Sequence, residues 1–336
     1  TDFKGELSTD EALAVLDQLK AARVPAVIFS GGEPLLRPDL PVLLRRAKAL
    51  GMHVSVSSNG TLLEAEMAAT LADCGVDYYG VSLDGLAPTH DVFRRLEGAF
   101  DAALRGVRLA RDSGIKTGIR MTLTEANADQ LPAVVALMEA EGLDKFYLSH
   151  FNYAGRGRKH QADDAQHAAT RRTLDWLFEH VYARAQAGQA GDFVTGNNDA
   201  DGVYLLNWIQ HRAPDRVADM RQRLLNWGGN ATGVWVANID NLGNVHPDTM
   251  WWQHTLGNVR QRPFADIWAD CSDPLMAGLK ARPRPLEGRC GRCPSREMCN
   301  GNTRVRAFAT TGNAWAADPG CYLTDAEVGL LEEVPC

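Results

Sequence analysis

VPAVIFSGGEP, residues 24–34, decides how this chain is read. An apolar, β-prone run ends at two glycines, a carboxylate and a proline, as a buried strand does where it meets a ligand-binding loop. The same form recurs in HVSVSSNG (53–60), DYYGVSLDG (77–85), IKTGIRMTLT (115–124) and KFYLSHF (145–151). Helical spacing fills the gaps, through Leu43, Leu44 and Ala47, then Phe100, Leu104 and Val107, then Leu131, Val134, Val135 and Met138. Upstream, Ser8 and Glu11 form a capping-box signature ahead of Val15, Leu16 and Leu19. A long helix is expected within 163–188.

The resulting order is one helix followed by five strand–helix units, with strands apolar on both faces. That pattern means a parallel sheet covered by helices. The first helix lacks a preceding strand, so a first strand and its loop are expected to be missing from this chain. Restored, the series has six units, too few for an eight-fold barrel. The expected fold is α/β, a partial (β/α)6 TIM-like barrel, with a doubly wound sheet as the alternative.

After residue 190 the rhythm breaks. DFVTGNNDADG (192–202) reads as a polar, turn-rich segment, 203–227 as helical, and GVWVANIDNLGNVHPD (233–248) as two short strands around a turn. LGNVRQRPFADIW (256–268) starts a helix near Pro263, and the tail from 281 is rich in Pro, Gly and Cys. Three regions are expected: a partial barrel over 1–190, a connecting pocket region over 191–232, and a small C-terminal domain over 233–336.

Composition narrows the function. The chain has 336 residues, a formal charge of −7 and 45% hydrophobic residues, which describes a soluble globular protein. The acidic balance argues against nucleic acid as a partner. No apolar run reaches the ~18 residues of a membrane span. The chain starts at Thr1 with nothing resembling a leader, so a cytoplasmic location is expected.

The cysteines gather late in the chain. Cys290-x2-Cys293-x5-Cys299, followed by Cys321, has the spacing of a zinc or iron–sulfur site, with Cys336 a possible replacement for Cys321. The strand ends form a second constellation. Ser30-Gly31-Gly32-Glu33-Pro34, Ser57-Ser58-Asn59-Gly60, Ser82-Leu83-Asp84-Gly85, Arg120-Met121-Thr122 and Ser149-His150-Phe151-Asn152 all follow apolar strands. Ligands of parallel sheets gather at this edge. No dinucleotide fingerprint or Walker A loop is present.

These features together resemble the radical SAM enzymes: GGEP after one strand, SLDG after another, HDVFRRLEGAF (90–100), and a C-terminal cysteine cluster like that of the SPASM branch. The resemblance implies that Gly31, Gly32 and Glu33 meet the amino group of S-adenosyl-L-methionine. It assigns ribose and carboxylate contacts to Ser57, Asn59, Ser82 and Arg94, and the adenine to Met121. The family's C-x3-C-x2-C loop is not in this sequence. The catalytic [4Fe–4S] cluster is therefore expected in the full-length protein only, and this chain as written is expected to be inactive. Asp248 and Thr303 stand where further cysteines are found in fuller SPASM domains, so one auxiliary [4Fe–4S] cluster is expected, on Cys290, Cys293, Cys299 and Cys321.

HFNYAGRG (150–157), FVTGNNDADGVYLLNW (193–208), NIDNLGNVHPDTMWW (238–252) and GNTRVRAFATTGNAWAADPGCYLTDAE (301–327) resemble more narrowly the radical SAM proteins of heme d1 biosynthesis. That branch implies an iron tetrapyrrole substrate, 12,18-didecarboxysiroheme, loss of two propionates by 5′-deoxyadenosyl radical hydrogen abstraction, and an electron donor. Candidate pocket residues are His150, Asn152, Tyr153, Arg156, Asn197, Asn198, His246, Trp251 and Arg304. Trp208 and Trp252 are further candidate walls, with Arg158, Arg306 and His254 at the rim. Three alternatives stay open: an oxidative decarboxylase of iron-coproporphyrin, a SPASM-type peptide maturase, and a non-catalytic tetrapyrrole-binding protein.

Overall fold

The computed structural model describes residues 4–155, 157, 161–189 and 191–330; Arg156, Arg158 and Cys336 lie outside them. Helix α1 (Thr9–Ala21) starts at the expected capping box. The Ser8 hydroxyl accepts from the Glu11 N–H, and the Glu11 carboxylate accepts from the Ser8 N–H. Strands β1 (Ala26–Phe29), β2 (His53–Ser58), β3 (Tyr78–Ser82), β4 (Lys116–Leu123) and β5 (Lys145–His150) follow. They alternate with α2 (Leu40–Ala49), α3 (Ala65–Asp73), the pair α4 (Ala87–Arg94) and α5 (Ala99–Asp112), and α6 (Leu131–Ala140). After α7 (His167–Gln186) comes a sixth strand, β6 (Asp192–Gly196).

All six strands are parallel and pair in chain order. A doubly wound sheet reverses its strand order at a switch point; this one does not, and it curls into an open half barrel. Strand β6 corrects the reading of 192–202 as a turn-rich loop. Phe193, Val194 and Thr195 are all that give it strand character, and its pairing with β5 sets its conformation.

The two faces of the sheet differ, contrary to the expectation of strands apolar on both. Val54, Val56, Tyr79, Val81, Ile119, Met121, Phe146 and Leu148 are essentially inaccessible and pack against the helices. Ser57, Ser82, Arg120, Thr122, Tyr147 and Ser149 occupy the alternate positions and are half-buried. The concave face of the half barrel is thus polar and open.

Beyond the sheet run α8 (Ala200–Arg212) and α9 (Val217–Trp227). A three-stranded antiparallel sheet follows: β7 (Asn238–Ile239), β8 (Asn244–His246) and β9 (Gly257–Asn258), one strand more than expected. Helix α10 (Phe264–Ala269) begins after Pro263, and α11 (Pro274–Lys280), α12 (Gly288–Arg292), α13 (Arg296–Cys299), α14 (Arg304–Thr311) and α15 (Asp325–Val328) complete the chain. Val245, Phe264, Ile267 and Tyr322 join the same apolar core as the barrel helices. The Phe264 N–H donates to Gln18 at 2.8 Å, and Arg260 pairs with Glu11 at 2.6 Å, tying the late segment to α1. No described helix is long and apolar enough to cross a membrane.

The last helix is docked by charge. Arg171 on α7 makes a two-point contact with Glu327 at 2.9 and 2.5 Å, and the Thr324 N–H also donates to Glu327. The Arg171 contact, aided by Thr324, holds the Glu327 carboxyl at about 2, below the usual carboxylate range. A depressed folded value adds stability above the unfolded value near 4.5, which is lost as pH falls through about 2. Discounted for its partial exposure, Glu327→Gln is expected to cost about 1–2 kcal/mol at pH 7 and far less at pH 2. Urea midpoints at the two pH values check this; an equal loss at both would refute the ion-pair account.

Candidate active site

The strand ends converge on Glu33. Its residue is half-buried and caps the short turn Pro34–Leu36, accepting from the Leu35 N–H at 3.2 Å. The Ser58 hydroxyl donates to one carboxylate oxygen at 2.8 Å, and the Asn59 N–H to the other at 2.9 Å. The loop after β1 is therefore fixed to the end of β2 through a single carboxylate. Gly31 has φ +128°, which favours glycine, and a Cβ at Gly31 or Gly32 would meet nothing within 4 Å. Both glycines border open space beside a carboxylate with spare acceptor capacity, an arrangement suited to a cation.

Asp84 organises the next loop. It is fully buried, accepts from the Thr122 N–H at 2.8 Å and pairs with Arg94 at 2.5 Å. Its own N–H donates to His90, and Asn127 donates to its carbonyl and to that of Thr122. Arg94 keeps a buried Nε with no partner, a donor that an anion could take up. Ser82 sits half-buried at the strand end beside it.

Period-two alternation corrects one assignment. Met121 is fully buried on the helix-facing side of β4, so its side chain cannot line an adenine in the concave face. Arg120 and Thr122 face that side instead. The alternation of Ile119, Met121 and Leu123 carries this signal in the sequence. Arg120 donates to the Ser57 hydroxyl at 2.5 Å and lies 5.1 Å from the Tyr147 ring centre.

The segment after β5 holds His150, Asn152 and Tyr153. The His150 Nε2 is 2.9 Å from Asp201, which also accepts from the Tyr322 hydroxyl at 2.7 Å. That buried trio joins the barrel to the residue after Cys321. Both amide atoms of Asn152 are buried without a partner, leaving a donor and an acceptor for a ligand. Tyr153 donates to Asp164 at 2.9 Å; burial raises the Asp164 carboxyl above its ordinary value. His150, Tyr153, Asp164, His167 and Arg306 line a cavity of about 270 Å³. Asn197, in the left-handed region at φ +64°, donates to Ser149 at 2.7 Å. Asn198 donates to the Gly320 carbonyl at 2.9 Å and accepts from Asn302, so it ties segments together.

Several rim candidates turn out to be internal supports. Arg304 is fully buried and donates to the carbonyls of Gly301, Ala314 and Ala316. Arg306 is buried against Asp318 at 2.9 Å and donates to the carbonyls of Phe151 and Asn197. In His246, Nδ1 meets the His254 carbonyl at 2.8 Å and Nε2 meets Asp240 at 3.2 Å, so neither ring nitrogen is spare for a metal. Trp251 is 1% exposed and packs with Val305 and Ala314. Trp208 packs on Phe178 and Tyr182. The physical reason is shared: large side chains in a stretch short of apolar residues are used first to build its interior.

Of the candidate walls only Trp252 is exposed, and Trp227, Trp235, Phe93 and Phe308 are exposed besides. Trp235 is 84% exposed, Trp252 48% and Phe308 37%. The turn carrying Trp235 is bonded to the Pro247 carbonyl through the Gly233 N–H, Trp252 lies 5.7 Å from the His246 ring, and Phe308 lies 5.4 Å from the Trp251 ring. Trp235 and Phe308 were not among the sequence candidates. Trp235 sits in an apolar GVWVAN run that reads as a strand, which hides its exposure.

The four expected cysteines come together. Cys290 and Cys293 are buried and Cys299 and Cys321 half-buried. Cys290 and Cys293 act electrostatically on Cys299, and Cys293 feels both Cys321 and Cys290. Burial pushes the Cys299 thiol up to about 12. Opposing it are N–H donors, from Ser295 to Cys293, Gly301 to Cys299 and Leu323 to Cys321. The Arg289 guanidinium adds a contact to the Cys321 sulfur at 3.2 Å. These donors offset only part of the burial, since Cys293, Cys299 and Cys321 all stay above the ordinary thiol value. Among the described residues no group of three or more His, Cys, Asp or Glu is spaced for a single metal ion. The donor set, four thiols with N–H support, fits a cluster.

Comparison with known proteins gives a consistent picture. The sequence pattern of the Radical SAM superfamily matches residues 1–138. Pre-heme d1 synthase of Dinoroseobacter shibae is 50% identical over 99% of this chain and 83% of its own length. Fe-coproporphyrin III synthase of Methanosarcina barkeri is 43% identical over 98% of this chain and 84% of its own. Among solved structures, native anSMEcpe with bound AdoMet and Cp18Cys peptide aligns at a TM-score of 0.67 and 16% identity, covering 93% of this chain and 85% of that one. At that identity the likeness concerns the fold.

Proposed function

This chain belongs to the radical SAM superfamily, in its heme-synthesis branch, and on that footing we propose that it removes two propionate side chains from 12,18-didecarboxysiroheme, toward the oxo groups of heme d1. The observation that carries the reading is 50% identity to pre-heme d1 synthase along nearly the whole chain. An iron tetrapyrrole is a broad apolar plate with acidic arms. Trp235, Trp252 and Phe308 expose aromatic surface suited to such a plate.

The strand-end residues then have separable tasks. Glu33 takes the ammonium of S-adenosyl-L-methionine, with Gly31 and Gly32 leaving room for its approach. Arg94, oriented by Asp84, offers its unpaired Nε to the cosubstrate's carboxylate, and Ser57, Asn59 and Ser82 are left for polar contacts. When bound, the cosubstrate and the family's catalytic [4Fe–4S] cluster supply the hydrogen-abstracting 5′-deoxyadenosyl radical. The protein's own contribution is to hold the reacting carbon in place and keep competing partners out. The Asn152 amide offers a donor and an acceptor to the substrate's polar edge. Cys290, Cys293, Cys299 and Cys321 hold one auxiliary [4Fe–4S] cluster. With all four thiols available as ligands, electron transfer suits that cluster better than substrate binding. A separate electron donor completes the system.

Two tests bear on this. Glu33→Ala removes both the ammonium partner and the tie from the β1 loop to Ser58 and Asn59. It is expected to weaken S-adenosyl-L-methionine binding at least tenfold by calorimetry, and unchanged binding would remove Glu33 from the site. For the substrate class, the Soret band of an added iron tetrapyrrole should shift on binding. A second reading, formation of Fe-coproporphyrin III, is favoured by the 43% identity to the Methanosarcina barkeri enzyme. Product mass separates the two.

A further inference from the structure

Three glycines on the concave face leave room for side chains lying across them: Tyr78 over Gly118 and Gly80, Tyr147 over Gly196, and Arg120 beside Tyr78 at Gly80. A Cβ on Gly118 would be 2.5 Å from the Tyr78 hydroxyl, and one on Gly196 would be 1.8 Å from the Tyr147 hydroxyl. A Cβ on Gly80 would be 3.3 Å from the Arg120 Cδ, tighter than an ordinary contact. Arg120 starts on β4, opposite Ser82 of β3 and Tyr147 of β5. Its stem crosses β3 over Gly80, and its guanidinium reaches the Ser57 hydroxyl of β2 at 2.5 Å. The Tyr147 ring supports it from behind at 5.1 Å.

What this arginine lacks is an anion. Arg94, Arg171 and Arg306 each meet a carboxylate within 4 Å, and Arg304 is spent on backbone carbonyls. No carboxylate among the described residues lies within that distance of Arg120. A hydroxyl and an aromatic face orient a guanidinium without neutralising it, so its remaining donors are available to a planar, two-oxygen partner. Its half-buried position in an open, polar groove makes it reachable by a bound molecule.

We propose that Arg120, cradled by Gly80, Ser57 and Tyr147, is a carboxylate-binding residue of the concave face, and that its ligand is a propionate of the tetrapyrrole substrate. This rests on the tetrapyrrole reading above. The other carboxylate in the reaction belongs to the methionine part of the cosubstrate, for which Arg94, held by Asp84, already has an unpaired donor. Arg120 starts on β4 beside Tyr147 and reaches back to Ser57, so it stands between the Glu33–Ser58 contact and the side of the groove that carries Ser149 and Asn197. The salt link fixes one acidic arm and so chooses which propionate approaches the reacting centre.

The test uses the reconstituted holoprotein with two probes, iron-coproporphyrin III and its tetramethyl ester, followed through the Soret band. S-adenosyl-L-methionine binding is measured alongside by calorimetry. Arg120→Gln is expected to weaken the tetra-acid about tenfold to a hundredfold while leaving the ester and S-adenosyl-L-methionine unchanged. Arg120→Lys should recover part of the loss. Ser57→Ala, which keeps the charge but frees the guanidinium, should weaken the acid by a smaller factor. A urea midpoint equal to the parent's shows that a variant is folded. Equal binding of the tetra-acid by parent and Arg120→Gln would overturn the inference and leave the tetrapyrrole reading intact. Loss of S-adenosyl-L-methionine affinity with the porphyrin unaffected would also overturn it, giving Arg120 to the cosubstrate. A parent protein that binds no tetrapyrrole would overturn both.

Discussion

Arg306→Met is expected to lower the free energy of unfolding by about 3–5 kcal/mol, the usual cost of leaving one buried charge without its partner. Arg306 and Asp318 have side chains only 1% and 0% exposed. Asp318 also accepts from the Gly320 N–H, so its turn is built around an ionised carboxylate. The guanidinium reaches two further segments, donating to the carbonyls of Phe151 after β5 and Asn197 after β6. One side chain thus joins two strand ends to the loop that leads into Cys321. The double variant Arg306→Met, Asp318→Leu should regain part of the loss, because it removes the stranded charge. Urea midpoints at constant m value measure both. A single-variant loss below 1 kcal/mol would mean the pair is not buried as described.

The second large effect concerns the cysteines. Cys299→Ala is expected to remove the proposed auxiliary cluster, lowering iron and sulfide each by about four per chain relative to the parent. Unligated, these groups stay protonated: burial raises Cys293, Cys299 and Cys321, and Cys299 reaches about 12. Metal ligation deprotonates such thiols, so the affinity of the site is tied to the folding of its loops. The variant should therefore also be less stable by several kcal/mol than the loaded parent. Cys271→Ala, at an exposed cysteine outside the group, should leave iron unchanged. Stoichiometric zinc without iron in the anaerobically prepared parent would contradict the cluster.

The fold was largely legible because parallel strands announce themselves in apolar runs ending at Gly, Ser and Asp. The capping box at Ser8, five of six strands and the helix after Pro263 all rest on local spacing. Strand β6 was not legible, since an edge strand with two apolar residues takes its form from its neighbour. At the site, residue type was easier to read than direction. Glu33 and Asp84 declare themselves by following their strands. Met121 and Arg120 are adjacent, and only the pleat decides which faces the groove. Trp251 and Trp252 differ by one position, yet one is core and the other half exposed. Arg304, Arg306 and His246 looked like rim groups because charge and imidazole suggest ligands. In a segment with few apolar residues, the same groups bond backbone carbonyls and carboxylates to hold the chain together.

The most direct test of the account is one anaerobic reaction. The reconstituted, reduced holoprotein is incubated with S-adenosyl-L-methionine and 12,18-didecarboxysiroheme, and both products are read by mass spectrometry. The account predicts 5′-deoxyadenosine together with a tetrapyrrole lighter by its two propionates. If 5′-deoxyadenosine forms while the tetrapyrrole keeps both propionates, the superfamily assignment stands and the proposed reaction is contradicted. A product with the mass of Fe-coproporphyrin III would place the activity with the second reading.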